Sequence, residues 1–503
     1  MWRQVSSRVR TGVLWLFGGS LTSKILGLAR EVVFAAAFGT GAAAAAFRVA
    51  QTASAAPMQA LSSDSVTSAF VPSYKSRLEL SPEDGRLLLN VVLGLLGVVS
   101  LAVVAVLVYF SGLWVSVLGP GLDEGASSLG AHMLCITAWA IPLYILSSIF
   151  VLAEISRGVF VLAASRAPVQ NLGILCGILA SVLLDSAVFL AWGVLAAQIL
   201  FFVWCAVRLE YRPSWPVRDV RRSIELRAAL LSLWQSVRPL LLIPVVLQGM
   251  VMVERATASL IDVTAVSAVD YSRFITDTGV LLFSVPLALA GLSAWSGSDS
   301  TRVRKLMETT AQLQLLVAVP LSMFLAIQST LVVEILYARG AFDETSTRST
   351  AAILTGSSVG LWAHMLAYVL LRGLSAQERN RAALVCVILG AAASAATNVF
   401  TYTHLGPLAL GLGSAAYGLV LFACTATFTQ IWTSLRSSLL WLGLGAAGYC
   451  FLSSHARIST GSSVTALAVA ATFALMYWAA WIAAIPVLRR SALLGWSKFR
   501  RRG

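Results

Sequence analysis

The chain has 503 residues, of which 58% are hydrophobic and only 12% are charged, and its mean hydropathy is +0.83. Soluble domains carry about 25% charged residues, so this composition excludes a soluble protein and predicts an all-α, polytopic membrane protein. The net charge of +14 does not indicate nucleic-acid binding, because the basic residues lie in short patches between apolar runs.

The first apolar segment, residues 14–38, contains no proline and is long enough to cross a hydrocarbon core of roughly 30 Å as a helix. It carries Lys24, Arg30 and Glu31 near its middle, where each such charge costs about 2.5 to 3.5 kcal/mol unless it faces protein or water. At about 100° per residue these three side chains share an arc of about 120°, with Ile25 and Leu28 on the opposite side. The segment therefore predicts a helix with one charged face and one apolar face.

Apolar runs along the rest of the chain predict about fourteen spans. The spans lie near residues 12–38, 42–72, 87–110, 129–153, 160–184, 186–207, 229–261, 264–296, 306–336, 349–371, 382–403, 407–433, 437–453 and 463–487. With a cytoplasmic N-terminus, 27 of the 36 lysines and arginines fall on the inner side and three on the outer side. This bias predicts a multi-pass protein of the bacterial cytoplasmic membrane with both termini in the cytoplasm.

The longest connection between spans is strongly basic, runs from Arg208 to Arg227, and follows the sixth span. We therefore expect two six-helix lobes plus two C-terminal helices. The predicted segments are an N-lobe (1–207), a basic cytoplasmic linker (208–228), a C-lobe (229–435), two extra spans (436–487) and a basic cytoplasmic tail (488–503).

The second span carries Arg48 on a stripe of polar residues, with Asp64 beside the stripe, and the seventh span carries Arg255 near its outer end. A lipid-facing helix would not tolerate such a stripe, which must face a cavity or a partner helix.

In the eighth span Asp270, Arg273 and Asp277 share an arc of about 60°, so that Arg273 has a carboxylate one turn away on each side. Charge thus concentrates in the first, second, seventh and eighth spans, which occupy corresponding positions in the two halves. This symmetry favours a central polar cavity between two bundles. The alternative is a self-neutralised cluster that only holds helices together.

Direct nucleotide hydrolysis is not indicated, because no Gly-Lys dipeptide occurs and a Walker A loop requires one. The predicted loops are too short for a catalytic domain, and the cysteines lack metal-ligand spacing. We therefore predict no catalytic residues, no metal site and no cofactor.

Five segments, in order along residues 10–435, resemble the MurJ/MviN lipid II flippases of the multidrug/oligosaccharidyl-lipid/polysaccharide exporter superfamily. They are residues 23–31 (SKILGLARE), 68–72 (SAFVP), 254–259 (ERATAS), 270–273 (DYSR) and 337–343 (YARGAFD). The resemblance implies a fourteen-helix protein whose two lobes enclose a cationic cavity and carry undecaprenyl-pyrophosphate-linked sugars outward by alternating access. By position, Arg30 and Arg273 match the cavity arginines of the family, Lys24 replaces a third arginine, and Glu31 stands for an aspartate.

The second span departs from the family pattern, because an acidic position falls on Ala45 and basic positions fall on Met58 and Gln59. An exopolysaccharide or O-antigen unit therefore competes with lipid II as the cargo. A cation-coupled drug antiporter of the same superfamily is a second class. A membrane glycosyltransferase is disfavoured by the short outer loops, and a non-transporting scaffold stays open.

The arginine side chain offers a fixed fork of donors to phosphate oxygens, which suits Arg30, Arg255 and Arg273 to binding a pyrophosphate head group. Ion coupling through Asp64, Asp270 or Asp277, by a proton or a monovalent cation, is a further hypothesis. We expect a monomer whose partners are the lipid-linked oligosaccharide and the membrane lipids.

Overall fold

The computed structural model describes residues 7–62, 64–209, 242–288, 300–377, 379–455 and 462–500, together with residues 231 and 291. Regular secondary structure in these residues is helical, and every one of the fourteen predicted spans overlaps a helix. The prediction of an all-α, polytopic membrane protein is confirmed.

The chain forms two compact units, residues 1–256 and 257–503. The helices of the first unit are α1 (Ser7–Phe38), α2 (Ala42–Leu61), α3 (Asp64–Leu80), α4 (Pro82–Tyr109), α5 (Ser111–Leu118), α6 (Glu124–Thr137), α7 (Ala140–Ser156), α8 (Val161–Leu183) and α9 (Phe189–Arg208). Helix α10 (Leu242–Ile261) begins in the first unit and ends in the second. Most of the predicted linker, residues 208–228, lies outside the described residues.

The helices of the second unit are α11 (Val263–Gly279), α12 (Ser300–Ile327), α13 (Ser329–Tyr337), α14 (Glu344–Ala376), α15 (Asn380–Leu405), α16 (Pro407–Phe428), α17 (Trp432–His455), α18 (Ser463–Ala484) and α19 (Pro486–Arg500). A π-helical segment, Val280–Ser284, continues α11. Helix α14 packs against α11, α12 and α16 and forms the centre of this unit.

Among the residues that the structure describes, ten candidate membrane spans are long and apolar enough to cross a bilayer, and they correspond to predicted spans 3–6 and 9–14. They are Pro82–Tyr109, Glu124–Ser156, Val161–Leu183, Phe189–Arg208, Val303–Ile327, Glu344–Ala376, Asn380–Leu405, Pro407–Phe428, Trp432–His455 and Ser463–Ala484. The first, second, seventh and eighth predicted spans are helical too, but they are not among the ten. These four are the spans in which intramembrane charge concentrates.

Three predicted spans, 42–72, 306–336 and 129–153, are wrong as single helices, because each is broken into two, the last between Thr137 and Ala140. Helix α2 ends at Leu61, where the Ser62 hydroxyl donates to the Met58 carbonyl at 2.6 Å, and α3 begins at Asp64. Short polar side chains such as serine compete with the helix for backbone hydrogen bonds, which explains this break. The second break lies at Gln328, whose φ of −100° and ψ of 18° end α12.

Aspartate caps begin one long helix in each unit after a short helix and a turn. The Asp123 carboxylate accepts from the Ala126 amide at 3.0 Å to begin α6, and the Asp343 carboxylate accepts from the Ser346 amide at 2.7 Å to begin α14. The hydrogen bonds from the Ser346 amide and hydroxyl lower the pKa of Asp343. Each cap satisfies an amide that has no partner within its own helix.

Helices α8 and α9 cross in close contact because glycines line both sides of the crossing. A Cβ atom added at Gly193 of α9 would lie 2.6 Å from the Gly177 Cα and 2.7 Å from the Gly173 carbonyl oxygen. Small residues allow helix backbones to approach in this way when the hydrophobic effect does not drive association within a membrane.

We expect Gly193→Ala to destabilise the protein, because forcing a methyl group into a packed contact typically costs about 1 to 3 kcal/mol. The measurement is the thermal unfolding midpoint of the purified protein in detergent. Gly94→Ala is the matched control, since no atom lies within 4 Å of a Cβ added there. Equal midpoints for the two variants would contradict the close crossing of α8 and α9.

Candidate functional site

The carboxylate of Glu31 is bound by two arginines at once. Its Oε1 lies 2.5 Å from Arg30 Nη2, and its Oε2 lies 2.6 Å from Arg48 Nη2. Glu31 is 3% exposed and Arg48 is 6% exposed. Two cations therefore share one anion, and the triplet keeps a positive charge.

Arg30 is held from a second side by α8. Its Nη1 donates to Asn171 Oδ1 at 3.0 Å, and the Asn171 amide donates to the Ser23 carbonyl at 3.1 Å. The side chain of Arg30 is nevertheless 23% exposed, whereas that of Glu31 is 4% exposed. Arg30 is thus oriented by protein contacts while part of its guanidinium stays accessible.

Arg48 of α2 lies behind this ion pair. Its Cζ is 4.6 Å from the centre of the Phe34 ring, and its Nη1 donates to Gln51 Oε1 at 3.4 Å. A guanidinium over an aromatic face gains electrostatic attraction from the ring quadrupole. Arg48 therefore fixes the Glu31 carboxylate from the protein interior.

The predicted amphipathic face of α1 is confirmed for the residues whose side chains are described. Ile25 and Leu28 are 62% and 38% exposed, as expected for a face turned to lipid. Lys24 and Arg30 are half-buried, and Glu31 is buried.

Arg255 of α10 joins the same network through Thr52 of α2. Its Nε donates to Thr52 Oγ1 at 3.1 Å, and the Thr52 hydroxyl donates to the Arg48 carbonyl at 2.8 Å. Arg255 is 4% exposed. The first unit therefore brings four predicted site residues, Arg30, Glu31, Arg48 and Arg255, into one chain of contacts, which we call the arginine network.

The three predicted site residues of α11 lie in the second unit. Arg273 Nη1 is 3.9 Å from Asp270 Oδ1, a distance at the outer limit of an ion pair, and the two side chains are 30% and 17% exposed. Asp277, one turn further along, is exposed. Asp64 is the first residue of α3, and its side chain lies outside the described part of the structure.

The π-helical segment directly follows the part of α11 that carries these charged residues. Ser284 in this segment accepts a hydrogen bond at 2.6 Å from the Gln314 amide, which also donates to the Met365 carbonyl at 2.8 Å. Single π-helical turns often mark functional positions, because they shift the register of the side chains that follow.

Sequence reasoning missed several polar residues of the first unit, including Asn171, which orients Arg30. The available signal was the pair Gln170-Asn171 near the middle of the mostly apolar fifth span. It also missed the buried Glu154, which accepts from Arg208 Nε at 2.6 Å and from the Leu162 amide at 2.7 Å. Within the described residues, no group of three or more His, Cys, Asp or Glu side chains could hold a metal ion.

We expect Glu31→Gln to lower the unfolding midpoint in detergent strongly, because removing one partner of a buried ion pair costs about 3 to 5 kcal/mol. The double variant Glu31→Gln/Arg48→Met should recover part of the loss, since it removes the buried cation as well. The control is Glu344→Gln, whose pair with Arg348 is exposed and contributes about 0 to 1 kcal/mol. A midpoint for Glu31→Gln equal to that of the control would refute the central role of this carboxylate.

Comparison with known proteins identifies the family of the chain. The sequence profile of the family described as "Lipid II flippase MurJ" matches residues 34–492. A "Probable lipid II flippase MurJ" of Thermotoga maritima is 23% identical over 397 residues, which cover 79% of this chain and 80% of that protein. A protein of the same description from Rhizobium tropici is 26% identical over 424 residues, covering 80% and 77% of the two chains.

The fold is similar to that of "Lipid II flippase MurJ, inward closed conformation", with a TM-score of 0.80, 19% identity, and coverage of 93% of this chain and 98% of that chain. An inward-facing multidrug resistance MATE family transporter of the MOP superfamily gives a TM-score of 0.67 at 11% identity, covering 83% and 96%. The family profile covers most of the sequence and confirms the resemblance found in its motifs. The chain belongs to the MurJ lipid II flippase family.

Proposed function

We propose that this chain is a flippase that moves an undecaprenyl-pyrophosphate-linked glycan precursor, lipid II or a related molecule, from the cytoplasmic to the outer leaflet by alternating access. The observation that carries the proposal is the arginine network of the first unit. Two arginines bind the Glu31 carboxylate, a third joins them through Thr52, and Arg30 stays partly exposed. Membership of a flippase family places the chain among multi-pass transporters of the bacterial cytoplasmic membrane, not among enzymes.

The physical problem for such a transporter is the head group. A pyrophosphate with attached sugars cannot cross hydrocarbon unaided, because burying unpaired charge and polar groups costs many kcal/mol. Arginine provides a planar fork of N–H donors that pairs with phosphate oxygens, and lysine adds a point charge. We assign direct contact with the phosphates to Arg30 and Lys24, since both are half-buried.

The buried members of the network have a supporting role in this proposal. Arg48 and Glu31 hold Arg30 in place, and Arg255 ties α10 to α2 through Thr52. In the second unit, Arg273 is proposed as a further contact for the head group, because its side chain is 30% exposed and its separation from Asp270 is 3.9 Å.

The membrane potential can supply the driving force. An inside-negative potential favours outward movement of an anion by about 2.3 kcal/mol per charge per 100 mV, so a pyrophosphate requires no nucleotide. Coupling to a proton or a monovalent cation through Asp64, Asp270 or Asp277 is the alternative source, and Asp277 is supported by its exposed position on α11.

We also propose an orientation of the chain in the membrane and a division of the chain into segments. We infer that both termini are cytoplasmic, because the positive charge between spans falls almost entirely on one side. We propose a monomer with five functional segments, which are the N-lobe (1–207), the linker (208–228), the C-lobe (229–435), the two extra spans (436–487) and the tail (488–503). Alternating access would then arise from movement of one lobe against the other.

A second cargo, an exopolysaccharide or O-antigen unit, is favoured by one observation in α2. Where the family has basic residues, this chain has Met58 and Gln59, and Gln59 Oε1 accepts a neutral hydrogen bond from Gln248 Nε2 at 2.8 Å. This part of α2 therefore contributes no positive charge toward a phosphate.

We expect Arg30→Ala and Arg273→Ala each to abolish complementation of a flippase-depleted strain while membrane abundance stays unchanged, because each removes a proposed phosphate contact. Growth of the depleted strain and immunoblotting of membranes are the measurements. Arg348→Ala, at an exposed i,i+4 pair, is the control and should complement fully. Full complementation by Arg30→Ala or Arg273→Ala would reject the head-group role of that residue.

We expect depletion of this protein in its own cells to cause a lipid-linked glycan to accumulate on the inner leaflet. Mass spectrometry of the extracted lipid identifies the sugar unit and so decides between lipid II and an exopolysaccharide or O-antigen unit. Unchanged levels of all polyprenyl-pyrophosphate-linked glycans would contradict the flippase proposal itself.

A further inference from the structure

Arg166 is a half-buried cation of the first unit that belongs to neither the arginine network nor a loop. It lies in the second turn of α8, and its Nη2 donates to the Tyr144 carbonyl at 3.1 Å and to Ser148 Oγ at 2.7 Å. Its Cζ stands 3.8 Å from the centre of the Tyr144 ring. The charge tally along the sequence places Arg166 with the inner flanking residues, but these contacts place its guanidinium against the middle of α7.

Arg166 lies inside one candidate membrane span, Val161–Leu183, and the two residues that it contacts lie inside another, Glu124–Ser156. An ionised side chain inside a membrane span is costly, and residues of this kind usually serve a transport pathway.

No carboxylate forms an ion pair with Arg166 in the part of the chain that the structure describes. Glu154, also on α7, uses Oε1 to accept from Arg208 and Oε2 to accept from the Leu162 amide. The positive charge of Arg166 is therefore stabilised by a carbonyl, a hydroxyl and an aromatic ring, which are all neutral groups.

Two buried donors near this charge lack an acceptor. Arg166 Nε and Gln170 Nε2 are both buried and make no hydrogen bond among the described residues. The two residues are four apart on α8, so they lie one turn apart on the same face. Buried donors are almost always satisfied, so these two require an acceptor from water or from a ligand. Arg166 and Gln170 are half-buried as whole residues, so part of each residue is accessible.

We propose that Arg166 and Gln170 form a second anion site that binds a phosphate group of the lipid-linked substrate before that group reaches Arg30; this inference rests on the proposed function. A phosphate oxygen matches both requirements, because it accepts several hydrogen bonds and carries the missing negative charge. Asn171, which binds Arg30, is the next residue along α8. In the proposed orientation Arg166 lies on the cytoplasmic side of that contact, where a head group arrives first.

The test uses inorganic pyrophosphate and the full-length purified protein in detergent, with ionic strength held constant by chloride. Binding is measured as the rise in unfolding midpoint with pyrophosphate concentration. Losing a hydrogen bond to a charged group costs about 1.5 to 3 kcal/mol, so Arg166→Gln should weaken apparent affinity by tenfold or more. Gln170→Leu, which keeps the charge, should weaken it by a smaller factor.

Arg157→Gln is the matched control, because Arg157 is a neighbouring arginine that donates to the Tyr74 hydroxyl at 3.3 Å and lacks a role in the proposed site. Its pyrophosphate response should equal that of the unmodified protein. If Arg166→Gln does not fold, Gln170→Leu decides the matter on its own. An unchanged affinity in the folded Arg166→Gln variant, or in Gln170→Leu if that variant stands alone, would show that water and not phosphate satisfies these donors.

The two proposals fail in different ways. If Arg166→Gln loses pyrophosphate binding and yet depletion of the protein causes no lipid-linked glycan to accumulate, the anion site stands and the flippase function falls. If the glycan accumulates but Arg166→Gln and Gln170→Leu bind pyrophosphate normally, the function stands and the second site falls.

Discussion

The carboxylate of Glu31 is the interaction on which the first unit depends. Its two oxygens are occupied by Arg30 at 2.5 Å and by Arg48 at 2.6 Å, and it is 3% exposed. Without this anion, two guanidinium groups would face each other in a medium of low dielectric constant, where like charges repel strongly. With it, α1 and α2 are joined, and Arg30 can extend toward Asn171 while part of its surface stays accessible. The same carboxylate therefore stabilises the fold and orients the residue that we assign to the substrate.

The two units repeat one local arrangement and differ in how they hold charge. In each, a long helix ends at a break, a short helix follows, and an aspartate cap, Asp123 or Asp343, begins the next span. The recurrence gives a structural basis for the repeat that the span count predicts. The arginines of the first unit are locked by short contacts, whereas Arg273 of the second unit lies 3.9 Å from Asp270 and is followed by a π-helical segment. The first unit thus holds Arg30 and Arg48 by short ion pairs, whereas the second holds Arg273 at a longer distance from Asp270.

The distribution of charged residues along the spans reflects the free-energy cost of placing a charge in the hydrocarbon core. The ten apolar candidate spans are held together by close packing, as where Gly193 contacts Gly177. Intramembrane charges concentrate in the first, second, seventh and eighth spans, with Arg166 in the fifth span as an exception, and the described ones are stabilised by ion pairs and hydrogen bonds. A protein that only had to anchor itself would have no reason to keep such charges in its spans, since each is costly there. Their retention beside a partly exposed Arg30 is what membership of a flippase family would lead one to expect.

Composition and hydropathy were enough to predict an all-α, polytopic membrane protein, and each of the fourteen predicted spans overlaps a described helix, because these signals are local. The charges of Arg30, Glu31, Arg48 and Arg255 within apolar runs predicted that these side chains contact protein or water, because the cost of burying charge is independent of fold. Breaks at Ser62 and Gln328 escaped prediction, since a polar residue in an apolar run can either continue a helix or cap it. The partners of each charge could not be predicted either. Only the packing of the helices decides that Glu31 binds both Arg30 and Arg48, that Asn171 orients Arg30, and that Arg166 contacts Tyr144. These contacts join residues 17 to 141 positions apart in the sequence, so the tertiary structure alone determines them.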